Sequence, residues 1–118
     1  MSDPAATARV RENMVAYGFP AKLLPDVIAA NTLDEKTGAF SVTLDRDVTA
    51  EVHGHKVIYS KQIRGTIAQG KITNLTGVHV KVLLIKLAIT EIRASDDKSK
   101  VSFSVAGLVQ AVPWSAFA

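Results

Sequence analysis

Apolar and polar positions alternate through most of this chain, and the period of that alternation changes once. Before residue 18 the apolar positions Val10, Met14 and Tyr17 recur at helical spacing, which predicts a helix over 3–17 with one narrow apolar stripe. Ser2 or Asp3 can cap it, and Pro4 falls in the first turn, where a missing amide proton costs nothing. Gly18 suits the residue just past the helix, and Pro20 prevents continuation. Only Arg9 and Arg11 are basic along it, so the stripe is expected to dock on the domain rather than on a membrane. In "YGFPAKLLP" two prolines five residues apart make a stiff, extended connection, with Phe19, Leu23 and Leu24 as anchors.

From residue 27 to 113 the period is two. Phe40, Val42 and Leu44 alternate with polar neighbours, as do Val57 and Tyr59, Ile63 and Ile67, and Val101, Phe103 and Val105. Turn signals separate the runs: "DEKTG" at Asp34 to Gly38, "HGH" at His53 to His55, Gln69–Gly70, "SDDKS" at Ser95 to Ser99, and Ala106–Gly107. Val80 to Ile92 breaks the rule. Val80, Val82 and Leu84 share one face while Ile85, Leu87 and Ile89 share the other, which predicts a central strand with a bulge or bend near Leu84. The predicted fold class is all-β: an antiparallel meander closing into a β-barrel or curved sandwich, preceded by a short helix. No repeat, linker or low-complexity run divides the 118 residues, so one domain is expected.

Composition narrows the chemistry. With no cysteine, disulfides, thiolate metal sites and a cysteine nucleophile are excluded. The N-terminus lacks the apolar core of a signal peptide, and the apolar run at Val82 to Ile89 is interrupted by Lys86 and far too short to span a bilayer. A cytoplasmic protein, at most peripheral to a membrane, is the expectation, and the sequon at Asn74 to Thr76 then carries no meaning. Net charge is +3 but uneven: residues 1–55 hold five basic and eight acidic groups, residues 56–100 nine basic and three acidic. Such asymmetry marks an anion-facing surface, unless the lysines merely protect strand edges.

Candidate catalytic groups do not assemble. His53 and His55 flank Gly54 with Glu51 nearby, but a metal site needs three or four ligands, and a polar hairpin tip explains the set. His79 could serve as a base, yet alternation puts it on the outer face, opposite Val78 and Val80. There is no Gly-x-Ser-x-Gly elbow, and paired carboxylates occur only in turns, at Asp34–Glu35 and Asp96–Asp97. Glycines are dispersed singly, so no phosphate loop is present, and seven aromatics give no stacking platform for nucleic acid. No metal or cofactor is expected.

One run does invite a binding reading. In "GTIAQGKITNLTGVHVK" and its flanks, cations alternate with apolar residues, which in a curved wall sends apolar groups inward and charge outward. A hollow interior would accept an amphiphile. Arg64, Lys71, Lys81 and Lys86 are the candidates for its anionic head, and Tyr59, Ile67, Leu87 and Phe103 for the lining of the cavity. The competing outcome is a wall around a packed core, since small barrels usually fill themselves with side chains.

Five motifs in order also resemble a known family: "YGFPAKLLP", "DEKTGAFSVTL", "VIYSKQIRGTIAQGKITNLTGVHVK", "ITEI" and "VPWSAF". They are similar to the plant family called domain of unknown function 538, with its "TG.F.V.L" strand and "G.I..G.I..L.GV..K" core, across roughly residues 12–117. Lys86 stands where many members have tryptophan. The resemblance implies an all-β, elongated barrel that has been compared with lipid-binding barrels, an association with plant growth and stress, and no agreed catalytic residues. The leading expectation is a non-catalytic binder of a hydrophobic or amphiphilic small molecule or an anionic membrane surface. A protein-interaction module using a strand edge or the N-terminal helix is second, and an esterase using His53 or His79 third.

Overall fold

A computed structural model of the chain describes residues 2–117. The helix α1 runs Pro4–Ala16; Asp3 caps it by accepting the Ala5 amide at 3.0 Å, and Gly18 follows at φ 85°. Ala6, Val10 and Met14 form its buried stripe. Eight strands follow: β1 Ile28–Leu33, β2 Ala39–Leu44, β3 Val48–Val52, β4 His55–Ala68, β5 Lys71–Val82, β6 Ile85–Ala94, β7 Lys100–Val105 and β8 Leu108–Pro113. A 3-10 turn, Trp114–Phe117, ends the described chain.

All pairings are antiparallel, in the order β1-β2-β4-β5-β6-β7-β8, with β3 beside β4. The length of β4 explains the branch. Its second half pairs with β2 (Phe40 opposite Gly65) and its first half with β3 (Val48 opposite Tyr59). At the junction the Lys61 amide donates to Asp47 Oδ1 at 2.7 Å.

The fold is all-β and antiparallel behind a short helix as expected, and of the two expected forms the curved sandwich fits, since the sheet does not close into a barrel. The outer strands β1 and β8 each pair with one neighbour only, so the form is an open, curved sheet. Leu23, Leu24 and Pro25 share one depression with Ala50 and Val52 of β3 and with Ala116 and Phe117. Phe19, Leu23, Ile28, Leu44, Ile63, Ile72, Val78 and Val101 are the largest side chains wholly removed from water. Phe103 and Phe117 tilt against each other with centroids 6.0 Å apart.

In β5 the buried residues are Ile72, Leu75, Val78 and Val80, so the period of two is broken twice. Asn74 (φ 51°) and Gly77 (φ 91°) sit at the breaks, where the register of β5 shifts against both β4 and β6. A Cβ on Gly77 would lie 2.2 Å from the Gln62 carbonyl oxygen, so only glycine fits. These bulges bend the sheet where the sequence placed none. Conversely, the bulge expected near Leu84 is absent. Val80 to Ile92 is two strands joined by a two-residue turn at Leu83–Leu84. Val80 and Val82 thus pair with Leu87 and Ile85 on one face, and the apolar positions pass from even to odd numbers without changing face. Among the described residues no helix is long and apolar enough to cross a membrane.

Candidate functional site: an apolar groove

Antiparallel pairing sorts the turns to two ends of the sheet. The turns at 34–38, 69–70 and 95–99 lie at one end, and His53–Gly54, Leu83–Leu84 and Ala106–Gly107 at the other. At the first end the inner face is covered. The Gly70 amide donates to the Tyr17 carbonyl at 2.7 Å, holding the end of α1 there. From that anchor, segment 19–25 runs inward until Tyr59 Oη donates to the Leu23 carbonyl at 3.2 Å. Burial pushes the Tyr59 hydroxyl up to about 12.

Nothing in the described chain covers the inner face at the second end, where a groove of about 430 Å³ opens. Val57, Val80, Ile89, Phe103 and Val112 form its buried floor, and Leu87 and Val105 its half-buried flanks. Val82, Leu108 and Val109 stand at its mouth; His55 and Gln110 are its polar members. Both Val52 and Val112 line it although β3 and β8 are five strand spacings apart. A flat sheet would separate them by roughly 24 Å at ~4.8 Å per spacing, so the groove exists because the sheet curls.

The eight residues singled out from sequence separate into five places. Leu87 and Phe103 do line the groove. Tyr59 lies deeper, beside Leu23 and Phe117, and Ile67 is buried near Val10 and Met14 of the helix. Lys81 and Lys86 are at the open end but on the outer face, directly opposite one another, with Lys56 opposite Lys81. Arg64 and Lys71 sit nearer the covered end, where Lys71 faces Arg93. The groove's own polar groups are therefore His55 and Gln110, and the cations belong to the other face.

Among the described residues the ion pairs are Arg46–Asp45 and Arg93–Glu91, so Lys56, Lys81 and Lys86 have no carboxylate within 4.0 Å. His79 lies on their face, directly between Ile58 and Ala88. Desolvation, and then the Lys86 charge, holds its imidazole below its ordinary range, and its Nδ1 is buried without a hydrogen-bond partner. His53 is exposed in its turn at φ 48°, while His55 faces the groove.

What sequence reasoning missed is the pair of apolar hairpin tips: Leu83 and Leu84 are 89% and 93% exposed, Leu108 and Val109 75% and 70%. The available signal was the failed alternation at Val82–Ile85, which a tight turn explains as well as a bulge does.

Residues 10–118 match the family model described as "Protein of unknown function, DUF538". The chain belongs to that family. No curated protein and no solved structure matches it. The structure gives the family-like "G.I..G.I..L.GV..K" run a physical meaning in this chain. Ile67, Ile72, Leu75 and Val78 are core; Gly70 turns β4 into β5; Gly77 makes the bulge; and Gly65 leaves room for the Phe40 ring, 3.0 Å from a Cβ placed there. All of these are wall residues. Lys81 alone faces solvent without a structural task.

Proposed function

We propose that this protein binds a hydrophobic or amphiphilic small molecule in the groove, as a carrier or sensor rather than as an enzyme. The groove itself carries this reading: an apolar concavity of about 430 Å³, floored by buried residues of five strands and left open by the helix that covers the other end. That volume lies within the ~300–1,000 Å³ usual for ligand sites. A binding role is favoured over hydrolysis by the character of the walls. Among the described residues, His55 is the one imidazole lining the groove, and no serine, threonine or carboxylate lines it with His55 to complete a nucleophile–base pair. An acyl or isoprenoid tail would lie against Val57, Leu87 and Phe103, with its polar head at the mouth within reach of Gln110 and His55.

A titration with a fluorescent polyene fatty acid tests this. One saturable site is expected. Val57→Phe, which projects a ring from the floor into the open volume, should weaken binding at least about tenfold with an unchanged circular dichroism spectrum; Leu87→Phe, at a half-buried position, provides the same block if the first variant folds poorly. A chain that takes up no probe, or folded blocking variants that bind it as wild type does, would remove the proposal.

A further inference from the structure

The open end carries a second feature that the groove does not explain. Four consecutive apolar residues, Val82, Leu83, Leu84 and Ile85, form the β5–β6 hairpin tip, and all are exposed. Local physics disfavours them there. Leu83 holds φ at 57°, in the left-handed region that a bulky side chain rarely adopts. The two neighbouring tips put a polar or a small residue at the matching position, His53 at φ 48° and Ala106 at φ 51°, each followed by a positive-φ glycine; this tip puts a leucine there with no glycine after it. A strained backbone at a water-exposed leucine is a cost that turn formation alone would not select.

The outer face behind this tip is unfavourable in the folded chain as well. Lys81 on β5 lies directly opposite Lys56 on β4 and Lys86 on β6, and like charges placed so are destabilising. Glu51 on β3 stands across from Lys56 without forming an ion pair, so the two repulsions centred on Lys81 are not relieved by one. Lys81 and Lys86 stand two residues behind Leu83 and Leu84, roughly 7 Å at ~3.4 Å per residue. That separation matches a layer in which apolar groups enter ~5–10 Å below the headgroups while cations remain among the phosphates.

We propose that this end of the sheet docks on an anionic phospholipid bilayer, Leu83 and Leu84 entering the headgroup–acyl boundary and Lys56, Lys81 and Lys86 contacting lipid phosphates. Leu108 and Val109 form a second, adjacent apolar contact. Charge selects this occupant over a second copy of the chain, because tip-to-tip pairing would bring two lysine rows together. The docking goes beyond ligand binding and does not require an occupied groove, although it would turn the groove mouth toward the bilayer.

Vesicle flotation tests it, with phosphatidylcholine alone and with phosphatidylcholine mixed with phosphatidylserine, at low and at high salt. Wild type is expected to float with the anionic vesicles only, and salt should release it. Leu83→Gly/Leu84→Asn keeps a favoured two-residue turn and should lose at least about tenfold in affinity. Lys56→Gln/Lys81→Gln/Lys86→Gln should lose about a hundredfold, at roughly fivefold per lysine. Circular dichroism verifies that both variants fold. Wild type left unfloated by both vesicle types, or either folded variant floating like wild type, overturns the docking. So does a concentration-dependent dimer that the leucine variant abolishes while wild type never floats, since the tips would then be a self-association surface. Val57→Phe separates the two proposals: it should float normally while losing the fatty-acid probe, so either can fail without the other.

Discussion

The two ends of this sheet are built from the same strands and finished in opposite ways. At one end, polar turns rich in Asp, Ser and Lys are backed by the helix and by Phe19, Leu23 and Leu24, which fill the inner face. At the other, the Leu83–Leu84 turn and the first residues of β8, Leu108 and Val109, reach into solvent while the inner face is left as a groove. A protein built only for stability would place its apolar residues the other way at the open end: tips polar, groove filled. The covered end shows that the chain can do this. The difference therefore separates the residues that hold the fold from those free to meet another molecule.

The largest effect expected from that division comes from one residue type tested at both ends. Leu23 is 2% exposed and packs between the helix-side segment and the sheet; Leu84 is 93% exposed. Leu23→Ala should lower unfolding free energy by about 2–5 kcal/mol through lost burial and the cavity it leaves. Leu84→Ala should change it by no more than ~0.5 kcal/mol, as for exposed positions generally. Urea unfolding of the two variants compares them directly. A substantial loss at Leu84 would mean that the open end has a structural duty, and the contrast between the ends would collapse.

The covered end was the legible one. Cap, stripe and stop of the helix follow from Asp3, Val10, Met14, Gly18 and Pro20, because helix signals are local. Strand alternation and glycine- or aspartate-bearing turns gave the meander for the same reason. Two things escaped. The Leu83–Leu84 turn contains no turn-forming residue, so its local chemistry reads as strand, and only pairing across β5 and β6 reveals it. The groove depends on curl, which comes from the bulges at Asn74 and Gly77 and from residues far apart in sequence meeting on one inner face. Grouping Arg64, Lys71, Lys81 and Lys86 as one rim failed on the same point: alternation tells which face a side chain takes, but not which end of the sheet it reaches.

A smaller effect should distinguish the ends by pH. His79 lies on the outer face with Lys86 nearby, its imidazole lowered from the ordinary 6.5 by desolvation first and by that lysine second. With the folded value below the unfolded one, the unfolded chain takes the proton first. The stability His79 contributes is thus complete above pH 6.5 and declines as pH falls below it, until the folded protein is protonated too. Unfolding curves on either side of that pH should show the decline in wild type and a shallower one in His79→Gln, the difference isolating this histidine from the carboxylates. Lys86→Gln should also make it shallower, by removing the second cause. Identical pH profiles for wild type and His79→Gln would show that the outer face of the open end is well solvated, and that its cations do not act on one another.

The finest test reverses the charge at the centre of the lysine row. Lys81 stands directly across from both Lys56 and Lys86, so Lys81→Glu converts two repulsive cross-strand pairs into two attractive ones. Each such pair is worth roughly 0.2–1 kcal/mol, and these are exposed, so a net gain of about 0.5–1 kcal/mol is expected at low salt, fading as salt screens it. The same substitution should weaken flotation with anionic vesicles. Stability and binding would then move in opposite directions at one position, as they must if the row is retained for an anionic surface despite its cost to the fold. Should Lys81→Glu instead destabilise the chain, the three lysines would already be relieved by some arrangement of their own, and their alignment would no longer point outward to a partner.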